Sequence, residues 1–265
     1  MSKTFRLLAV TLACPIVIHA VPVAAQDREI TRPPTIPPPA PPAILIDAPG
    51  IPFPNAKPSE EHFALIVAMR EGADENAALD AMLVDMENAW ARDPDMAKVE
   101  AMSPGALAEA ARSTRSILQR HSKRIQDQYE PQMAELFARY LSPAEAFEMA
   151  EFYRSEAGRR FVKSLSQNFS GEAALEDYET TTTISREQLD RDTATTVSNT
   201  FEQMSQAELD QLEQTFAAYP VLQKQRSFLE PLRVLRLQME NEPLLSQDEA
   251  EAMQSIMKVF ERRLR

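Results

Sequence analysis

From Ser59 onward, apolar residues recur every three or four positions, a spacing that places them on one face of an α-helix. The clearest example runs from Asp74 to Arg92, where Ala78, Met82, Met86 and Ala89 lie at helical spacing with acidic residues between them. Gly72 lies where a preceding helix would end, and Asp93-Pro94 lies where this one would end. The pattern predicts an all-α fold of about seven to nine helices, packed as a multi-helix bundle or as a two-lobed helical body.

Several helix starts are visible in the sequence. Three serines are each followed three residues later by a glutamate, which is the pattern of a capping box. These pairs are Ser142 with Glu145, Ser205 with Glu208, and Ser246 with Glu249. Ser103-Pro104 is typical of a cap followed by a first-turn proline, and it predicts a long helix towards Tyr129.

Four segments follow from these patterns. Residues 1–25 are predicted to be a signal peptide, and residues 26–58 a disordered proline-rich linker. Residues 59–170 are the first helical domain, and residues 171–265 are a C-terminal helical half with a long linker helix and helical hairpins. The capping boxes at Ser142 and Ser205 have similar sequences. Either the same type of cap recurs independently, or the C-terminal half contains a weak internal repeat of the first.

The first residues have the features of an export signal. Lys3 and Arg6 precede an apolar run, and Val23-Ala24-Ala25 provides small side chains at the positions that signal peptidase requires. We predict cleavage after Ala25, a periplasmic location and no transmembrane segment in the mature chain; an uncleaved membrane anchor is the alternative. Cleavage removes Cys14, the single cysteine, and two positive charges, so the net charge changes from -12 to -14. The mature chain then has no thiol chemistry.

The linker is defined by proline. Eleven of the twenty prolines lie between Arg32 and Pro58, where their fixed φ and missing amide donor exclude a helix or a sheet ladder. An extended polyproline II spacer is expected. An apolar island at residues 43–53 interrupts this spacer. It is either a short docking segment, for a partner or for the protein's own helices, or an incidental part of a disordered leader.

Composition excludes several classes of function. The net charge of -12 argues against a nucleic-acid partner, because phosphate binding needs clustered cations. The five glycines are too dispersed for a phosphate-binding loop. Of the three histidines, His62 and His121 remain after signal removal; neither has a metal-ligand spacing, and we expect both at the surface. We therefore predict no catalytic, cofactor-binding or metal-binding residue and no cofactor.

A compact motif lies between Leu141 and Val162. It joins a capping box to an aromatic pair, an Arg-Ser pair and a glycine. Its residues are Ser142, Glu145, Phe152, Tyr153, Arg154, Ser155 and Gly158. The motif resembles DUF2059, a family of exported bacterial proteins of unknown function, over roughly residues 105–170. The resemblance implies a small helical module without an established activity; Glu156 stands where the family usually has proline, so we expect a softer helix break.

Taken residue by residue, the motif predicts a helical hairpin in which Gly158 either turns the chain or permits a close approach of helices. Phe152 and Tyr153 are expected in the core. Three basic residues follow in a chain that is otherwise acidic: Arg154, Arg159 and Arg160. They are either a solvated face paired with neighbouring glutamates or a contact for an anion or a lipid headgroup.

Threonines are concentrated between residues 180 and 200. They are Thr180–Thr183, Thr193, Thr195, Thr196 and Thr200. The flanking apolar residues predict a helix that links the two halves, with the threonines on its polar side. A stripe of threonines that hydrogen-bonds a ligand is the alternative.

These patterns favour an exported periplasmic interaction module that binds an unknown protein or envelope component through its helical faces. The first alternative is a chaperone-like protein whose methionine-rich helices shield apolar clients. The second alternative is a carboxylate-based hydrolase. The sequence assigns neither the ligand nor the oligomeric state.

Overall fold

The computed structural model describes residues 51–176, 181 and 183–265. Within these residues the chain forms eleven α-helices and one 3₁₀ helix, Pro220–Lys224, and no β-strand. The helices are α1 Glu60–Glu71, α2 Glu75–Arg92, α3 Pro94–Met102, α4 Ala106–Ser113, α5 Arg115–Tyr140, α6 Pro143–Arg154, α7 Glu156–Gln167, α8 Arg186–Gln203, α9 Gln206–Ala218, α10 Gln225–Glu240 and α11 Ser246–Arg263. The predicted all-α fold is confirmed, with more helices than the pattern indicated. The predicted signal peptide and the linker up to residue 50 lie outside the described residues.

The helix start predicted at Ser103-Pro104 is wrong. Ser103 ends α3 rather than opening the next helix. Gly105 is the N-cap of α4, and its φ of 84° is a left-handed conformation that favours glycine. The Glu100 carboxylate accepts hydrogen bonds from the amides of Gly105, at 2.5 Å, and Leu107, at 3.0 Å. An upstream side chain therefore has the capping role predicted for Ser103.

A second break divides the predicted long helix into α4 and α5. Thr114 lies between them and is fully buried. Its hydroxyl donates to the carbonyl of Ala111 at 2.8 Å, which satisfies an acceptor at the end of α4. α5 then continues past Tyr129, through Pro131, to Tyr140.

Two of the three predicted capping boxes form, at Ser142 and at Ser205. The third does not form, because Ser246 is already the first helical residue of α11 and the N-cap position falls on Leu245. Another box, of the Ser-x-x-Gln form, opens α8 at Ser185.

The prediction that both histidines lie at the surface is wrong. His62 is 1% exposed and closes a capping box with Ser59 at the start of α1. The His62 Nε2 atom lies 3.0 Å from the carbonyl oxygen of Leu141, which ties the start of α1 to the end of α5. His121 is fully buried in α5, with its Nδ1 atom 2.9 Å from a guanidinium nitrogen of Arg124. Both rings therefore serve as buried hydrogen-bonding groups.

Three clusters of buried apolar side chains hold the helices together. The main core lies chiefly between α1, α5, α6 and α10. The second core lies between α2, α4, α5 and α11, and it contains Trp90, the only tryptophan, which is 2% exposed. A third cluster joins α7 to α9 through Phe161, Leu165 and Leu212. Each cluster draws residues from both sides of residue 170.

The threonines of α8 are not all on its polar side as predicted. Thr196 and Thr200 are buried. The Thr200 hydroxyl donates to the Thr196 carbonyl at 2.7 Å, and the Thr196 hydroxyl accepts from the Ser170 amide at 3.0 Å. The inward face of α8 is polar because it lies against a connecting segment whose amides need acceptors. Of residues 180–183, only 181 and 183 are described, and both lie before α8 begins.

The described chain begins against the end of α5. The Phe53 amide donates to the Arg139 carbonyl oxygen at 3.0 Å, and that carbonyl is one of those left without an intrahelical partner at the end of α5. The side chains of Ile51 and Phe53 stay exposed. For residues 51–53, this contact agrees with docking on the protein's own helices; residues 43–50 lie outside the described residues.

Candidate functional site at the junction of α6 and α7

The predicted hairpin motif forms a sharp break between α6 and α7. Ser155 is at once the C-cap of α6 and the N-cap of α7. Its hydroxyl donates to the Phe152 carbonyl at 2.6 Å and accepts from the Gly158 amide at 3.0 Å. Because one residue ends one helix and opens the next, the softer break expected from Glu156 is not observed; Glu156 is the first residue of α7.

Gly158 is needed at this junction for space. A Cβ atom on Gly158 would overlap the carbonyl oxygen of Phe152 and would lie 3.1 Å from the Cα atom of Tyr153. Among the described glycines, only Gly105 has a positive φ, so Gly158 is not required for an unusual backbone conformation. Of its two predicted roles, the close approach of two helices is the one that the structure shows.

The capping box that opens α6 is linked to the C-terminal half of the chain. The Ser142 amide donates to the Glu145 carboxylate at 2.8 Å, and the Glu145 amide donates to the Ser142 hydroxyl at 3.4 Å. Lys224 forms an ion pair with the same carboxylate. Burial alone would raise the pKa of Glu145, but hydrogen bonds from Lys224 and Ser142 outweigh it and lower that pKa. The box therefore also holds the 3₁₀ helix against α6.

Aromatic rings pack around the break, and we call this group the aromatic cluster. Phe152 and Tyr153 are buried, with ring centroids 5.1 Å apart. The Tyr153 hydroxyl accepts a hydrogen bond from Gln225 at 3.0 Å, and burial raises the pKa of Tyr153. The cluster consists of Phe152, Tyr153, Phe161, Phe201, Phe216 and Tyr219. Both motif aromatics are therefore core side chains.

The structure separates the three arginines that the sequence placed in one basic group. Arg154 donates to the Ala64 carbonyl of α1 at 3.3 Å and lies 3.5 Å from Glu151, so it supports the packing of α1 on α6. Arg159 and Arg160 are exposed on α7, and Arg160 is paired with Glu156. Arg154 is therefore engaged in helix packing, while Arg159 and Arg160 are the exposed members of the predicted group.

Lys163 joins these two arginines on the solvent-facing side of α7, and we call Arg159, Arg160 and Lys163 the basic stripe. The sequence prediction missed Lys163, although its spacing of three and four residues from the arginines places it on the same face. Lys163 also lines a shallow depression of about 420 Å³ with Arg70 and residues 73–76. Arg70 is tied to Glu130 at 2.7 Å.

A second group that the sequence did not reveal is a pair of carboxylates, of which Asp192 is buried and Asp85 is half-buried. Asp192 accepts hydrogen bonds from the amides of Ala173, at 2.7 Å, and Ala174, at 2.9 Å, while Asp85 accepts from Gly171 at 2.8 Å. Burial, reinforced by the charge of Asp85, raises the pKa of Asp192 to about 6. Burial also raises the pKa of Asp85. The pair anchors the segment between α7 and α8 to α2 and α8.

Two further features are absent from the part of the chain that the structure describes. Nowhere in residues 51–176 and 183–265 do three His, Cys, Asp or Glu side chains come together in a way that could hold a metal ion. No helix in the described residues combines the length and the apolar character that crossing a bilayer requires.

Comparison with known proteins gives one match. Residues 127–167, which span the second half of α5, all of α6 and α7, match the family described as "Uncharacterized protein conserved in bacteria (DUF2059)". The predicted resemblance is confirmed, over a shorter stretch than expected at its N-terminal side. No curated protein matches this chain, and no solved structure matches it.

Proposed function

We propose that the protein is an exported, periplasmic interaction module that binds an acidic partner protein of the cell envelope through the basic stripe of α7. One observation carries this proposal. The chain has a net charge of -12, yet the exposed face of α7 presents Arg159, Arg160 and Lys163 within two helical turns, against one carboxylate, Glu156, which is paired with Arg160. Such a local concentration of positive charge attracts an acidic surface and suppresses contact with basic ones.

The surroundings of the stripe support a binding role. The opposite face of α7 is anchored in the cores by Phe161, Val162 and Leu165, so the stripe is presented on a fixed helix. The backbone of Gly72, at the end of α1, lies against Val162 and the Cα atom of Arg159. This contact fixes that side of α7. A preorganised surface loses little conformational freedom on binding.

Export is the second part of the proposal, and it rests on the signal-peptide features of residues 1–25. The family match adds that the α5–α7 segment occurs in bacterial proteins. In a bacterial periplasm the partner would be a soluble protein or the periplasmic part of an envelope protein. The proposal needs no catalytic group.

Site-specific crosslinking in cells tests this proposal. A photoreactive amino acid replaces Gln167, which is exposed on α7 one turn beyond Lys163, and a matched probe replaces Gln254, which is exposed on α11. We expect a discrete adduct from the Gln167 probe and none from the Gln254 probe. The adduct should disappear in the double variant Arg159→Glu, Lys163→Glu.

A charge-matched control separates the effect of losing the basic stripe from the effect of a more negative net charge. The double variant Lys258→Glu, Arg265→Glu makes the same charge change at exposed positions near the C-terminus. This control should keep the Gln167 adduct. Loss of the adduct in both double variants, or its survival in both, would contradict a contact through the stripe.

The chaperone-like alternative stays a prediction. Six methionines are buried in the cores: Met69, Met82, Met86, Met133, Met149 and Met239. These side chains contact the protein's own helices and would need rearrangement to shield a client. Suppression of aggregation of an unfolded substrate by equimolar protein is the measurement that favours this alternative over the interaction module.

A further inference from the structure

α9 is attached to the rest of the protein almost entirely by apolar contacts. Leu212 is its only fully buried residue, and Phe216 is partly buried. Every side-chain hydrogen bond of α9 stays within the helix or its own cap. Within the described residues, no ion pair and no side-chain hydrogen bond joins α9 to another helix.

Beneath α9 lies the aromatic cluster. The Phe216 ring packs on Phe152, with centroids 5.1 Å apart, and on Phe161, with centroids 6.1 Å apart. Leu212 packs with Phe161 and Leu165. The surface covered by these two side chains of α9 is therefore apolar and lies on the family-matched helices α6 and α7.

The charge of α9 complements Arg160, the member of the basic stripe that lies near it. Glu208, Asp210 and Glu213 are exposed on α9, and no Lys or Arg occurs between residues 192 and 223. Arg160 lies close enough to Glu208 to assist the Ser205 hydrogen bonds in lowering the pKa of that carboxyl. α9 is thus an acidic amphipathic helix held on an aromatic surface that is flanked by Arg160.

Both ends of α9 are helix breaks. Met204 before it is extended, with φ −76° and ψ 134°, and Tyr219 after it has φ −119° and ψ 78°. The helix has 13 residues, and a helix of that length is marginal without packing. These breaks separate α9 from α8 on one side and from the 3₁₀ helix that precedes α10 on the other.

We propose that the surface under α9, built by Phe152, Phe161 and Leu165 and flanked by Arg160, is a helix-binding surface, and that an acidic amphipathic helix of the partner replaces α9 on it. The existence of that partner rests on the proposed function. α9 itself shows the chemistry of the occupant. The occupant carries Leu and Phe four residues apart on one face, as at positions 212 and 216, and carboxylates on the other face. This is recognition of a helix in a groove.

A peptide with the sequence of residues 205–219 serves as the probe of this surface. Fluorescence anisotropy measures its binding to the full chain and to the variant Leu212→Ser, which weakens the seating of α9. We expect the variant to bind the peptide at least about tenfold more tightly than the wild type, because the competing helix in the same chain is weakened. Leu264→Ser, the same change at an exposed position, should bind as the wild type does.

Charge and aromatic contacts are tested in the same assay. Arg160→Glu, added to the Leu212→Ser variant, should weaken peptide binding several-fold. A peptide with Phe216→Ala should not bind. A peptide with Asp210→Lys and Glu213→Lys should bind more weakly than the original. Equal binding of the original peptide to the wild type and to the Leu212→Ser variant, or no binding to either, overturns the proposal.

Hydrogen exchange keeps the proposal testable if Leu212→Ser disturbs the fold. Trp90 lies in the second core, away from α9, so its fluorescence reports whether the variant is folded. In the wild type, amides of α9 should exchange through local opening, faster than amides of α5. Exchange of α9 only together with α5 contradicts a displaceable helix.

The two proposals fail separately. A Gln167 adduct in cells without peptide binding to the Leu212→Ser variant supports the interaction module and overturns the helix-binding surface. Peptide binding without any adduct in cells supports the helix-binding surface and overturns the proposed function.

Discussion

Gly158 lies so close to the carbonyl oxygen of Phe152 that no side chain fits between them. The contact exists because Ser155 ends α6 and opens α7 within one residue, which brings the first turn of α7 against the last turn of α6. The glycine of the motif therefore follows from the sharpness of the break and carries no chemistry of its own.

Gly158→Ala should lower the free energy of unfolding by about 2–4 kcal/mol, because the new Cβ would force apart backbone atoms that cannot shift without opening the break. Urea unfolding followed by Trp90 fluorescence measures this change. The control is Gly171→Ala, where a Cβ would lie 3.3 Å from the end of the Phe169 side chain, which can move. The control should cost less than about 1 kcal/mol; equal costs for the two variants contradict the account.

His121 should make the protein less stable as the pH falls. Burial and the charge of Arg124 lower the pKa of His121 to about 4, while Asp248 and Glu242 oppose this shift. The unfolded chain takes up the proton near pH 6.5 and the folded protein does so only near pH 4. Stability is therefore lost through this interval, by up to about 3 kcal/mol.

The variant His121→Gln isolates this effect, since the substituted side chain does not titrate. As the pH falls from 7 to 4, the wild type should lose stability relative to the variant, so the unfolding free energy of the wild type minus that of the variant should decrease. Guanidinium unfolding at a series of pH values measures it. A difference that stays constant over this range contradicts a buried neutral histidine.

Asp192 should act in the opposite direction. Burial raises its pKa to about 6, so the folded protein binds a proton that the unfolded chain does not hold above about pH 4. Its contribution to stability is present below the unfolded pKa and is lost as the pH rises through about 6. The wild type should therefore lose up to about 3 kcal/mol relative to Asp192→Asn between pH 4 and pH 7.

The variant Asp190→Asn is the control for Asp192, because its side chain lies on the same helix but is 40% exposed. The pH-dependent difference from the wild type should be larger for Asp192→Asn than for Asp190→Asn, because Asp192 is buried. In the Asp192→Asn variant, one of the two oxygens that accept from the amides of Ala173 and Ala174 is lost at every pH. This loss shifts the plot of unfolding free energy against pH without changing its slope. A flat difference curve for Asp192→Asn is the contradicting result.

The proposed export determines which residue is the first in the purified protein. If signal peptidase cleaves after Ala25, protein recovered from the periplasm of an expressing cell begins at Gln26. Intact mass spectrometry measures this directly. Retention of the first 25 residues on membrane-associated protein would support the anchor alternative instead.

Much of the helical architecture could be predicted from local signals. The helix from Asp74 to Arg92 begins and ends at the predicted residues, because its cap and its terminal Asp-Pro are local features. The start predicted at Ser103 failed because the Glu100 carboxylate and the left-handed Gly105 determine where α4 begins. A side chain that caps a later helix is not visible as a cap in a local pattern.

The candidate site was only partly predictable for a related reason. Arg159 and Arg160 were found because they are adjacent in an acidic chain, and Lys163 could have been found by helical spacing. The separation of Arg154 depends on α1, which lies about 90 residues away in sequence, as the hydrogen bond to Ala64 shows. The burial of His121 likewise depends on packing between elements, which periodicity does not encode.

Binding of an acidic partner through the basic stripe is tested most directly by the affinity of the partner that the Gln167 probe captures. Isothermal titration compares the wild type, the Arg159→Glu, Lys163→Glu variant and the Lys258→Glu, Arg265→Glu control. We predict that the stripe variant raises the dissociation constant at least about tenfold, with a weaker dependence on salt, and that the control leaves it nearly unchanged. Equal dissociation constants for all three proteins would contradict the account.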